Sequence, residues 1–128
     1  MAEQKRLYLA GPMRGLPDLN RPTFHAAATR WRMEGWWVFN PAEADGDQNV
    51  EAFTDEQVCR CRRLDLFMLI GCDHEGAFDR LLNPGCDALA VLPGWNSSQG
   101  AQLETTVAAY IGIPILDVEN PIAPEDCP

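Results

Sequence analysis

Glu104 is the residue most out of keeping with its neighbours. On a helix opened by Ser98 it shares a stripe with Ala108 and Ile111, at i+4 and i+7, which sets a carboxylate on an apolar face about one turn inside the helix. A solvated glutamate belongs on the opposite face. Held there, the carboxylate is either satisfied by loop amides or kept as a catalytic group at a crevice floor. Ser98 suits the helix N-cap, and its hydroxyl and the free amides behind it can also receive an anion. Two unusual loops accompany this pair. Gly11-Pro12-Met13-Arg14-Gly15 follows a short apolar run, and Pro93 to Gly100 follows another and leads into the helix of Glu104. Glycines at 11, 15, 94 and 100 let backbone approach a ligand, or else simply make tight turns. Arg14 offers a bidentate guanidinium for a phosphate.

Such loops matter only if the fold brings them together. Leu7 to Ala10, stopped by Gly11-Pro12, reads as a buried parallel strand. Pro22 opens a helix with Phe24, Ala27, Ala28 and Trp31 on one face and Gly35 past its end. Trp36 to Phe39 is a second strand ended by Asn40-Pro41, completing a strand–helix–strand unit with a right-handed crossover. Residues 42–54 lack sustained periodicity and read as a surface excursion. A helix is expected over Glu56 to Ile70, with Val58, Leu66, Leu69 and Ile70 apolar, and a shorter piece over Ala77 to Leu82 before Asn83-Pro84-Gly85. Ala88 to Leu92 is another buried strand, Gln99 to Ile111 the helix carrying Glu104, and Ile113 to Leu116 a last strand before an irregular tail. This alternation predicts a single α/β domain over residues 1–128: an open, mainly parallel sheet of four to five strands flanked by helices, a flavodoxin- or Rossmann-like three-layer sandwich. Ligands of such sheets bind beyond the carboxyl ends of the strands, where both loops fall.

Composition narrows the partners. At 128 residues, 46% hydrophobic and 23% charged, the chain has the make-up of one globular domain. It shows neither a membrane span nor a secretory leader, so a soluble cytoplasmic protein is expected. The net charge of -9 is lopsided: residues 1–64 carry nine basic and nine acidic side chains, residues 65–128 only Arg80 against ten acidic ones. That half repels a nucleic-acid polymer, while a small anion can still be held locally. Cys59-x-Cys61 lacks a second pair at zinc spacing and His25 and His74 lie far apart, so no metal is expected and five reduced thiols are.

Tyr8-Leu9-Ala10-Gly11-Pro12-Met13-Arg14-Gly15, the Pro93-Gly94-Trp95 turn, Ser98-x-Gly100 and Glu104, in that order, resemble the nucleoside 2-deoxyribosyltransferase-like superfamily. Within it the chain looks most like the small phage and bacterial proteins grouped as DUF4406, and then like the 2′-deoxynucleoside 5′-monophosphate N-glycosidases. The resemblance spans residues 6–117. It implies Glu104 as nucleophile and Tyr8 as the group that orients it. It implies a 5′-phosphate held by Gly11, Met13, Arg14, Gly15, Ser98 and Gly100. It also implies an aspartate, eight residues before the one that starts the third strand, that contacts sugar or base. Counted from Asp87 that is Asp79, with Asp65 and Asp73 as alternatives. The resemblance further implies a homodimer or higher homo-oligomer, no cofactor, and, for a phage-encoded member, a host cytoplasm. Four tryptophans in 128 residues point the same way on association.

The chemistry fits the residues. N-glycosidic cleavage passes through an oxocarbenium-like state, which a carboxylate beside the anomeric carbon stabilises or captures covalently. A second acid, Asp79 foremost, helps the base leave or positions the ring hydroxyl. The leading expectation is therefore cleavage or transfer at the N-glycosidic bond of a 2′-deoxynucleotide or deoxynucleoside. The alternatives are a non-catalytic nucleotide-binding module using the same crevice, and an interaction protein whose acidic half docks a basic partner.

Overall fold

A computed structural model describes residues 4–46, 48–71 and 83–128. Four strands, β1 (Arg6–Ala10), β2 (Trp37–Phe39), β3 (Ala88–Val91) and β4 (Ile115–Asp117), form one parallel sheet in the order β2-β1-β3-β4. The chain runs outward from β1 to β2 and then crosses back over β1 to β3. The order therefore reverses between β1 and β3, and the loops after these two strands diverge around a crevice at their carboxyl ends. Both loops singled out in the sequence lie there.

Period-two alternation divides β1 between two cores. Leu7 and Leu9 face α1 (Arg21–Met33), whose Phe24, Ala27, Ala28 and Trp31 are all buried, as the spacing predicts. Trp31 and Trp36 meet edge to face, centroids 6.0 Å apart, and neither indole N–H is left unpaired. Trp31 Nε1 donates to the Val118 carbonyl at 3.0 Å and Trp36 Nε1 to that of Ile122 at 2.8 Å. These bonds pin the segment after β4 against the sheet, and a 3-10 turn at Pro124–Asp126 follows. Tyr8 and Ala10 face the opposite layer, made by α3 (Asp55–Ile70) and α4 (Gln99–Tyr110), with Phe39, Leu69, Leu89, Ala101 and Ala108. The expected three-layer α/β sandwich is thus present, with four strands among the described residues.

Three local readings are corrected. Residues 42–54 are not featureless: α2 (Pro41–Asp45) starts directly after β2, because Asn40 accepts from Ala42 N at 3.0 Å as an N-cap and Pro41 stands at the first helical position. A 3-10 turn at Val50–Ala52 follows, capped by Asn49. Helix α3 does form, behind a capping box of Thr54 and Gln57, but of the apolar positions expected to face the core only Leu69 is buried, and Ile70 is 46% exposed. The last strand begins two residues later than expected, because Gly112 closes α4 and the chain needs Ile113 and Pro114 to reach the sheet. The expected helix over Ala77 to Leu82 lies outside the described residues.

Candidate active site

The sheet decides what Tyr8 can reach. It lies in the middle of β1, paired in register with Phe39 and Leu89, and is fully buried. Its ring stacks on Phe39 at 5.3 Å with an interplanar angle of 22°, which aims the phenol toward α4. There the Tyr8 hydroxyl donates a hydrogen bond to Glu104 Oε2. Glu104 sits in the second turn of α4, whose start is fixed by Ser98 Oγ accepting from Ala101 N at 3.2 Å. The partly buried carboxylate thus has a phenol as its partner, across 96 residues of sequence.

Burial dominates the electrostatics here. It pushes Glu104 up to about 8, with the nearby charge of Asp65 adding to the rise and the Tyr8 hydrogen bond opposing it. Asp65, partly buried on α3, is pushed up to about 7, first by burial and then by the charge of Asp45 at the end of α2. Tyr8 is held well above its ordinary value by burial and by the charges of Glu104 and Asp65, so it stays a proton donor to the carboxylate. Cys61, one turn before Asp65, is raised by burial and by the same two aspartates, with Arg14 opposing. Three acids from α2, α3 and α4 and a phenol from β1 therefore share one field, with Arg14 at its margin.

The loop after β1 is held by its neighbours. Three successive residues, Asp18, Leu19 and Asn20, adopt left-handed backbone with φ of 52°, 53° and 59°. Asn and Asp tolerate this conformation; Leu19 does so because its side chain is buried. The turn lets Asn20 Nδ2 donate to the Pro12 carbonyl at 2.8 Å and starts α1 at Arg21, which donates to the Gln48 carbonyl. Arg14 donates to the Val50 carbonyl at 3.2 Å, and the Gly15 amide donates to Glu51 Oε1 at 2.8 Å.

The residues named from sequence therefore divide. Tyr8 and Glu104 are in direct contact, and Asp65 lies within reach of both their charges. Gly11 lies on the crevice, but its lack of a side chain serves packing: a Cβ there would stand 2.7 Å from Leu92 Cβ. Met13 turns toward the α1 core. Arg14 and Gly15 are engaged by residues 50 and 51, the Ser98 hydroxyl caps its own helix, and a Cβ at Gly100 would meet nothing within 4 Å. Asp79 and Asp73 lie outside the described residues. Sequence reasoning missed Asp45, Glu51 and Arg21; Asn40-Pro41, which also starts helices, was the available signal for α2. A cavity of about 660 Å³ lies elsewhere, along the free edge of β2 between Trp37, Phe39, Arg32, Glu43 and Met68, and does not include Tyr8 or Glu104. Among the described residues no group of three His, Cys, Asp or Glu side chains is placed to hold a metal ion, and no helix is long and apolar enough to cross a membrane.

Fold and site together define an α/β protein with a buried phenol–carboxylate pair beside the switch point of a parallel sheet. The chain belongs to the family described as "Domain of unknown function (DUF4406)", whose model matches residues 5–75 and 80–117. No curated protein and no solved structure matches it significantly.

Proposed function

We propose that the protein cleaves, or transfers at, the N-glycosidic bond of a 2′-deoxynucleoside or its 5′-monophosphate, with Glu104 as nucleophile. The observation that carries this reading is the Tyr8 hydroxyl bound to the partly buried Glu104 carboxylate beside the crevice. In the first step Glu104 attacks C1′ and forms a glycosyl ester as the C1′–N bond breaks. The bonding pair leaves with the base, which takes a proton from Asp65, an acid that burial keeps protonated near neutrality. In the second, water or another base attacks C1′ and gives its proton to the Asp65 carboxylate, the ester bond breaks and the Glu104 carboxylate is restored. Tyr8 orients the attacking oxygen throughout. The reaction needs no metal or cofactor.

The test is release of free base from deoxynucleosides and their 5′-monophosphates, followed by chromatography. Wild type releases base and Glu104→Gln loses it by several orders of magnitude. A Gln variant retaining more than about a tenth of wild-type turnover would remove Glu104 from the role of nucleophile. Nucleotide binding by wild type without base release would leave a non-catalytic binding module. We also propose that the chain self-associates through α3 and α4, which leave Leu64, Phe67, Ile70, Leu103 and Tyr110 exposed.

A further inference from the structure

The Gly15 amide is already occupied. It follows β1 on a loop at the crevice and has positive φ, 79°, with open space where a side chain would stand, which is how a backbone donor is presented to an incoming anion. Its partner is instead the chain's own Glu51 carboxylate at 2.8 Å. The segment that leads into Glu51 is fastened, while the Glu51 side chain itself stands exposed. Arg21 donates to the Gln48 carbonyl, Arg14 donates to the Val50 carbonyl at 3.2 Å, and Val50 is buried. The cations that would answer a phosphate are shared as well: Arg14 and Arg21 both act on the partly buried Asp45. Among the described residues Asp45, Asp65 and Glu104 thus share one field, with Arg14 and Arg21 acting on Asp45.

We infer that Glu51 is a specificity residue: by filling the Gly15 amide with an internal carboxylate it selects a deoxynucleoside with an uncharged 5′-hydroxyl over the corresponding 5′-monophosphate. This rests on the N-glycosidic reading above and names its substrate class. A 5′-phosphate would have to displace Glu51 or lie beside it, and like charges a few ångströms apart repel one another even where solvent reaches them, as it does here. A hydroxyl can donate to the carboxylate where it stands. The strap that carries Glu51 is therefore part of the substrate pocket.

The experiment compares wild type with Glu51→Gln, which keeps an oxygen to accept from Gly15 and removes only the charge. Expected is a wild-type kcat/KM for a deoxynucleoside at least about ten-fold above that for its 5′-monophosphate, and a ratio about ten-fold smaller in Glu51→Gln. Equal use of both compounds by wild type, or an unchanged ratio in the variant, overturns the inference. A second arm needs no turnover and so separates it from the reaction proposed above: inorganic phosphate is titrated against the melting temperature of wild type and of Glu51→Ala. Stabilisation of Glu51→Ala alone supports an amide released for anions, even if neither protein releases base. Stabilisation of both proteins, or of neither, counts against it.

Discussion

A carboxylate must be ionised to attack, yet burial holds Glu104 protonated up to about 8 while Asp65, the acid, loses its proton near about 7. The productive form, Glu104 ionised and Asp65 neutral, is a minority species of a coupled pair. The pH profile of kcat/KM for base release should therefore be a bell whose apex falls between these two values. Tyr8→Phe removes the hydrogen bond that lowers Glu104, so the apex should move alkaline and drop in height. A Tyr8 that only packed would leave the apex in place. Stability should follow the same proton. The folded value of Glu104, about 8, lies above its ordinary 4.5, so the folded state keeps a proton that the unfolded chain releases. That contribution is complete below the ordinary value and is lost as pH rises through the folded one. Glu104→Gln, permanently neutral, should then be more stable than wild type by roughly 1–3 kcal/mol at about pH 9 and match it at about pH 4. Urea titrations at the two pH values would read this directly.

At the level of elements, the close approach of α3 to the start of β3 fixes where Asp65 stands. Gly71 ends α3 with φ of 69°, and a Cβ there would come within 2.1 Å of Gly85 N. The α3 carbonyls are closed by residues just before β3: Asn83 Nδ2 donates to Phe67 O at 2.8 Å and Cys86 N to Leu69 O at 2.9 Å. Gly71→Ala should cost roughly 2–4 kcal/mol, since both backbone strain and overlap oppose it, and should lower base release with it. Gly100→Ala, in the first turn of α4 with nothing within 4 Å, should be neutral or stabilising. Denaturant unfolding of the two variants gives the contrast, and a Gly100→Ala loss as large as that of Gly71→Ala would contradict it. The β2 edge is guarded by a side chain: Arg32 of α1 donates to the Val38 carbonyl at 3.1 Å and pairs with Glu43. This covers a free acceptor that could otherwise recruit another strand.

For the whole molecule, association has to overcome a net charge of -9 on every copy. Two of the four tryptophans, Trp31 and Trp36, are fully buried, so they contribute nothing to a contact surface. The case for association instead rests on α3, where one residue of sixteen is buried, and on α4, where Leu103 is 54% and Tyr110 90% exposed. Sedimentation should show at least twice the 14.2 kDa of one chain, with the oligomer strengthened as salt screens the like charges. Phe67→Glu should shift it toward the single chain. A single-chain species alone at micromolar concentration would exclude the assembly.

Much of this protein can be read along the chain because its signals are local. The apolar run of β1, the four core positions of α1, the Ser98 cap and the stripe that sets Glu104 apart each depend on residues within a turn or two. Caps and periodicity also announce α3, but not which of its faces is covered, because burial depends on what packs against a helix and not on the helix itself. Only the sheet order brings Tyr8 to Glu104 across 96 residues, since a strand's period of two offers a side chain to one of two layers and the crossovers decide which helix lies there. Likewise Gly11 and Gly15 read as room for a ligand or as tight turns, but Gly11 meets Leu92 and the Gly15 amide is filled by Glu51, 36 residues away. A glycine's residue type records that something comes close. Whether that is a neighbouring strand, a carboxylate or a substrate is settled by the three-dimensional arrangement, because the partner arrives from a distant part of the chain.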